Sequence, residues 1–324
     1  MSLSYPWLMP AYQQLQGQLA AGNLHHATLL SGQADIGKSL LARALAERLL
    51  CSGNEAFACG QCKSCLLLAS DTHPDLTVLT TEEKSRFIKV DQVRAVIEKL
   101  AGSAQQGGNK VVIVDRADQL NVSSANALLK SLEEPTRNTY FVMLANGVDR
   151  LLPTVVSRCY VQRVATPSAQ QASDWLQGYA RSSDDVDTAL HIARGSPLKA
   201  LSLLQAESGV GLSDVFQRLH GCASGTTGVS QTAKALAKVD LGEEVIPVLH
   251  AGLRQAISQR MDAPLSGPKT VDALAQSLLD KGWGIDAYFE LLDQCDKARR
   301  LLASSANPNH TLLLEDILIR LAMR

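Results

Sequence analysis

The chain has 324 residues, of which 46% are hydrophobic, 19% charged and 4% aromatic, with a formal net charge of −1. That balance excludes a disordered chain and a strongly basic nucleic-acid binder, and no apolar run approaches the roughly 18 residues of a membrane span, so no membrane partner is expected. The first ten residues lack the basic and apolar regions of a signal peptide, and seven cysteines suit reduced thiols better than a disulfide framework, so a cytoplasmic protein of two or three domains is expected.

In the first half, apolar runs alternate with helical patterns. Residues 28–31 read as a short strand and 40–50 as a helix of good helix formers. Residues 76–79 form a second strand candidate. In 90–100, Val93, Ile97 and Leu100 share one helical face, with Val96 beside them. The run 111–114 is nearly all apolar, as a strand buried on both faces requires. A helix over 125–132 is stopped by Pro135, and strands follow at 140–145 and 160–164. Strands alternating with helices predict a parallel sheet covered on both faces. After Pro167 and Ser168 the strand signals vanish. Two or three short helices over 173–204 are interrupted by Gly195-Ser196-Pro197. Breaks at 221–228 and 262–269 separate further helices over 243–260, 270–279, 288–302 and 312–323.

Gly32-Gln33-Ala34-Asp35-Ile36-Gly37-Lys38-Ser39 matches the phosphate-binding pattern G-x-x-x-x-G-K-[ST], after a strand and opening a helix. Gly32 and Gly37 let backbone N–H groups converge on phosphate, Lys38 reaches the outer phosphates, and Ser39 can hold Mg²⁺. The loop is therefore either an ATP/Mg²⁺ cradle or a turn that has lost its ligand; Asp35 places a negative charge inside it. Asp115, ending the 111–114 run, is either a Mg²⁺ carboxylate or a strand-end residue. Arg116 follows where a hydrolytic enzyme needs a carboxylate to orient water, and arginine has no acceptor. Vigorous ATP hydrolysis is not expected.

Cys51, Cys59, Cys62 and Cys65 can converge on one ion. Four thiolates suit a closed, structural Zn²⁺ site. The alternative is an iron–sulfur cluster, but no Cys-Pro follows at the ferredoxin spacing. His73 reads as a loop residue before Pro74 rather than a ligand. Arg158, in Ser157-Arg158-Cys159, is either a solvated charge or an arginine finger aimed at a neighbouring subunit's nucleotide. Asn146 is either a sensor-like polar group or a turn residue before Gly147.

Asn126-Ala127-Leu128-Leu129-Lys130-Ser131-Leu132-Glu133-Glu134-Pro135 resembles the N-A-L-L-K-x-L-E-E-P signature of bacterial clamp-loader subunits of the AAA+ family. Ser157-Arg158-Cys159 is similar to their S-R-C motif, and the four cysteines to their zinc module. Tyr5-Pro6-Trp7-Leu8 and His25-His26-Ala27 are similar to the stator member of that assembly rather than to its gamma/tau motor subunits.

The resemblance implies an α/β AAA+ P-loop domain with an inserted zinc module over 1–165, a small helical lid over 166–208 and an all-helical collar over 209–324. It implies a scaffold of the DNA polymerase III clamp loader that helps place the sliding clamp on primed DNA. Its partners would be the gamma/tau motors and the delta subunit, with Arg158 acting in trans. Arg116, and Leu198 where the motors carry arginine in G-S-x-R-D-A-L, are departures from the motor pattern; Lys199 is one position off. The rival readings are a self-sufficient P-loop ATPase using Lys38, Ser39 and Asp115, and a zinc-dependent DNA-binding module.

Overall fold

The computed structural model describes residues 4–82, 85–180, 183–205, 210–264, 267–302, 304 and 308–323. The chain divides into two compact units, Met1–Thr166 and Pro167–Arg324. The predicted boundary at residue 208 between lid and collar lies outside the described residues.

In the first unit α1 (Met9–Ala20) precedes β1 (Ala27–Ser31), α2 (Lys38–Leu50), α3 (Lys63–Ala69), β2 (Leu76–Leu79) and α4 (Val90–Leu100). Then come β3 (Lys110–Val114), α5 (Val122–Glu133), β4 (Thr139–Ala145), α6 (Pro153–Val156) and β5 (Tyr160–Arg163). The five strands form one parallel sheet in the order β2-β3-β4-β1-β5. The central strands β1 and β3 are buried at every position, which explains their apolar stretches, Leu29-Leu30 and 111–114. The edge strand β2 leaves Val78 exposed.

One face of the sheet, with Leu29, Val112, Val114, Phe141 and Met143, packs with Leu128, Leu132, Val93 and Leu100 of α5 and α4. On the other face α2 crosses β3 and β4 and is itself backed by α1. Asn121 caps α5 by accepting the Ser124 N–H at 2.8 Å, so the helix starts three residues before the predicted 125.

The sheet reverses direction of growth at β1, flanked by β4 and β5. In open α/β sheets ligands bind at the carboxyl ends of strands beside such a switch point. Residues 32–37 leave β1 there. Gly32 is required by the sheet: a Cβ on it would meet the Val164 carbonyl oxygen at 2.5 Å. Gly37 is required by conformation, since its φ of 95° is left-handed.

The second unit is helical among its described residues. Its helices are α7 (Ala169–Leu176), α8 (Ser183–Ile192), α9 (Pro197–Leu204), α10 (Leu212–Ala223) and α11 (Val229–Leu236). They are followed by α12 (Ile246–Arg260), α13 (Lys269–Leu279), α14 (Ile285–Leu302) and α15 (His310–Ala322). A Ser168–Gln171 capping box opens α7. Helix α12 packs against α8, α10, α13 and α14. Its Gly252 permits the close crossing, because a Cβ there would lie 2.7 Å from Leu274 Cδ2. Among the described residues no helix is long and apolar enough to cross a membrane.

The break predicted from 221 begins later. Gly221 lies inside α10, and a Cβ on it would come within 2.8 Å of Thr227 Oγ1. It admits the returning loop rather than ending the helix.

Candidate functional site

The phosphate-type loop runs from the end of β1 into α2. Ile36 is fully buried beneath it, and the Trp7 indole N–H donates to the Ile36 carbonyl at 2.8 Å. Asp35 sits exposed at the bend with φ 57°. Lys38 is 7% exposed and its ammonium has three acceptors. These are the carbonyls of Gly32 at 2.9 Å and Gln33 at 2.5 Å, and Asn146 Oδ1 at 3.0 Å. An ammonium has three protons, so its donor capacity is filled by its own loop and by the residue that follows β4. Burial pushes the Lys38 pKa down, and the carboxylates of Asp35, Asp118 and Asp115 oppose that shift.

Gly32, Gly37, Lys38, Ser39 and Asp115 thus gather at the carboxyl edge of the sheet. Ser39 is exposed in the first turn of α2. Asp115 is half-buried and acts on Lys38 through its charge. Arg116 is exposed with φ 59°. With the Gln119 amide turned to present its oxygen, Arg116 donates to it from Nη2 at 3.0 Å and Nε at 3.2 Å.

Sequence reasoning did not single out Asp118. Its side chain is 7% exposed, and its Oδ1 has no hydrogen-bond partner among the described residues. An acidic residue three places after Asp115 was the available signal. Asn146 faces Lys38, which its position directly after a buried strand allowed but did not require. In the second unit Leu198 is half-buried, and Lys199 pairs with Glu243.

The four cysteines converge. Their sulfurs all lie within 4.8 Å of one another, with Cys51–Cys62 and Cys59–Cys65 both at 3.9 Å. A tetrahedron with metal–sulfur bonds of about 2.3 Å has sulfurs about 3.8 Å apart. Backbone N–H groups support the sulfurs: Gly53 and Cys59 donate to Cys51 at 3.3 Å, Cys62 to Cys59 at 3.4 Å and Cys65 to Cys62 at 3.5 Å. Hydrogen bonds, first from Ser52, hold the Cys62 thiol down at about 5, while burial pushes Cys65 up to about 12. Backbone hydrogen bonds from Gln61 and Cys62 lower Cys59. Donor type, spacing and N–H support fit a metal ion such as zinc.

The module is tied to the domain on both sides. Tyr12 of α1 stacks on Phe57 with centroids 4.6 Å apart and donates its hydroxyl to the Ala56 carbonyl at 2.8 Å. Arg43 of α2 donates to the Leu68 carbonyl at 2.5 Å and pairs with Asp71 at 2.9 Å. His73 is buried and accepts the Asp75 N–H at 3.1 Å; among the described residues the converging group consists of the four cysteines.

Arg158 lies on the turn between α6 and β5. Its Nη1 donates to the Thr154 carbonyl at 2.8 Å and to the Ser157 hydroxyl at 3.4 Å. Its Nη2 pairs with Glu133 at the end of α5, a residue quoted in the sequence motif but not assigned a role. The guanidinium side chain is 28% exposed. Cys159 anchors the turn: its Sγ lies 3.7 Å from the buried Met143 Sδ, and burial pushes its thiol up to about 11.

A parallel 2-3-4-1-5 sheet with a phosphate-type loop leaving β1 and a four-cysteine insert defines an AAA+-type domain of the clamp-loader kind. A solved gamma subunit-related protein of DNA polymerase III from Thermotoga maritima shares the fold, with a TM-score of 0.51 at 19% identity over 95% of this chain and 98% of that one. A family model described as "DNA polymerase III, delta subunit" matches residues 8–168. The delta prime subunit of Haemophilus influenzae is 42% identical over 206 residues, 63% of this chain and 63% of that protein. The delta prime subunit of Pseudomonas aeruginosa is 44% identical over 218 residues, 67% of this chain and 61% of that protein. The chain belongs to the family of DNA polymerase III delta prime subunits. The matched region spans a little over three fifths of those relatives' length.

The three bonds of Lys38 generate a stability prediction. Lys38→Met keeps the aliphatic stem but strands three oxygen acceptors. The unfolding free energy should fall by about 1–3 kcal/mol in denaturant titrations. A denaturation curve identical to wild type would show that the ties contribute nothing.

Proposed function

We propose that this chain is a stator-like scaffold of a DNA polymerase III clamp loader. It assembles with gamma/tau motor subunits and a delta subunit, and through them serves the loading of a sliding clamp on primed DNA. Arg158 acts as an arginine finger in trans, completing the nucleotide site of a motor neighbour. The observation that carries the reading is the contrast between two cations. Lys38 is consumed by its own loop, whereas Arg158 stands on a turn with its side chain partly exposed. The helices of 166–208 form a lid and those from 209 onward a collar for oligomerisation.

Three features support a weak or absent ATPase. Arg116 occupies the place where a water-orienting carboxylate is needed. Leu198 brings no charge to phosphate, and Lys199 is engaged with Glu243. The Gly32–Ser39 loop, with Asp115 for Mg²⁺, holds ATP only after Lys38 exchanges its internal acceptors for phosphate oxygens. The purified chain should therefore show no ATP turnover above background. Fast turnover that Lys38→Ala abolishes would make the chain a self-sufficient motor and overturn the scaffold reading.

The four-cysteine site holds structural Zn²⁺. A closed tetrahedral thiolate set leaves no open position for catalysis. Because a metal that binds only the folded state adds its binding energy to stability, removal by chelator should cost at least about 2 kcal/mol, or roughly 4–8 °C of melting temperature. Cys62→Ala should do the same, with zinc content measured alongside. A melting curve insensitive to both would remove the metal from the fold.

Arg158→Ala tests the finger. The exposed ion pair contributes little to folding, so the variant should melt as wild type does. In the reconstituted loader, single-turnover hydrolysis at the facing site should drop by on the order of 10³. Unchanged hydrolysis would reduce Arg158 to a surface charge.

A further inference from the structure

We propose that Glu133 is the positioning residue for Arg158: its carboxylate fixes the guanidinium in the uncombined chain, so that the arginine reaches a neighbouring nucleotide already oriented. This rests on the trans-acting role of Arg158 proposed above.

The argument begins with what holds the arginine. An arginine side chain has four rotatable torsions and loses a large part of its conformational freedom when it is immobilised. A finger that is loose before assembly must lose that freedom at the moment it meets phosphate. Here it is lost in advance. Nη1 is held by the Thr154 carbonyl, one turn back on α6, and by the Ser157 hydroxyl. That hydroxyl donates in turn to the same Thr154 carbonyl at 3.2 Å. Nη2 is held by Glu133, 25 residues earlier at the end of α5. The two Nη groups therefore take their anchors from different elements, α6 and α5, so rotation about the side-chain axis is blocked from both sides. Cys159 packs against Met143 beneath the turn and keeps the backbone from moving with the side chain.

The anchoring leaves donors for a ligand. A guanidinium has five N–H groups. Thr154, Ser157 and Glu133 take three of them. Nε–H is a fourth; it has no partner among the described residues, but the nitrogen is buried, so in the uncombined chain it is not presented to a ligand. A second proton remains on Nη2. Nε and Nη2 make one edge of the fork, with Nε covered and the unused proton on Nη2, so a phosphate is met through Nη2. Of the three anchors Glu133 alone approaches that edge, and it is 52% exposed. Its charge-assisted bond is the strongest of the three contacts, and it is the anchor that substitution can remove without touching the turn.

Glu133 also explains why the helix end and the turn, well separated in the chain, act as one unit. The α5 end supplies the anchor, and the turn before β5 supplies the finger. Shortening the carboxylate or removing it frees the arginine without altering the sheet, since Glu133 is exposed and lies outside the core of the unit.

The test uses the reconstituted loader and, beside it, the free chain. Glu133→Ala should lower the rate of hydrolysis at the site facing Arg158 by roughly tenfold, with KM for ATP little changed, because the arginine is retained but no longer pre-set. Glu133→Gln keeps an oxygen acceptor and should recover part of the loss. Glu133→Ala combined with Arg158→Ala should be no slower than Arg158→Ala alone. In the free chain the Arg158 Nη resonances, resolved by hindered rotation about Nε–Cζ, should coalesce in Glu133→Ala while the melting curve stays in place. Normal hydrolysis in Glu133→Ala beside a slow Arg158→Ala would overturn the positioning role and leave the finger intact. Faster hydrolysis in Glu133→Ala would also overturn it, since the carboxylate would then be withholding the arginine. If Arg158→Ala itself is silent, the finger reading fails first, and Glu133 holds a surface arginine of no catalytic consequence.

Discussion

A buried ammonium stands at the centre of the first unit. Lys38 begins α2, where the helix dipole is positive and a second positive charge is unfavourable. It lies there because the Gly32 and Gln33 carbonyls and Asn146 Oδ1 surround it, and because Asp35, Asp115 and Asp118 balance its charge from a longer range. The tie joins the chain leaving β1 to the chain leaving β4, the two strands on either side of the switch point. It also holds the left-handed turn at Gly37 against the buried Ile36, which Trp7 fastens from the other side. The site so formed has the architecture of an anion cradle, with its cation already spoken for.

The four-cysteine module depends on the same scaffold. It follows α2 directly, and its position is set by Tyr12 from α1 and by Arg43 from α2. Each anchor reaches a backbone carbonyl of the module and one of its side chains, Phe57 for Tyr12 and Asp71 for Arg43, so both the path and the seating of the module are fixed. The sulfurs can then converge because four residues within fifteen positions need only a short loop and the first turn of α3. Four thiolates so close repel one another, and a metal ion at their centre would offset that repulsion and act together with the N–H···S bonds.

How much of this was legible in the sequence follows from the range of each interaction. The strands were readable because β1, β3 and β4 are buried on both faces, so their middles are almost wholly apolar, with buried Thr28 the exception. Helices α1, α3, α6, α10 and α11 were not read. Helix α1 buries only Ala11, Tyr12 and Leu15 and carries no strong apolar stripe, while α11 is amphipathic but only eight residues long, too short a window for its periodicity to stand out. Helix α10 was hidden by Gly221, whose signal is that of a break although its cause is a close packing contact. The cysteine cluster was visible because its ligands are near neighbours in the chain. The partnership of Lys38 with Asn146 spans 108 positions, and that of Arg158 with Glu133 spans 25. Spacing carries no record of such pairs. Only the sheet order, which sets β4 beside β1 and brings the end of α5 to the turn before β5, creates them.

That order also explains why the two cations differ. Lys38 sits where a chain must turn inward between two central strands, so carbonyl oxygens are at hand and water is scarce. Arg158 sits before an edge strand, where β5 has β1 on one side and, among the described residues, no strand on the other. An inward cation in such a sheet is met by the fold itself, and what it can do for a ligand is limited by what it must give up. An outward cation is met by fewer groups, here the Thr154 carbonyl, the Ser157 hydroxyl and the Glu133 carboxylate, and these hold it without filling it. The proposed division between a loop that keeps its lysine and a turn that lends its arginine is therefore a consequence of where each lies in the strand order.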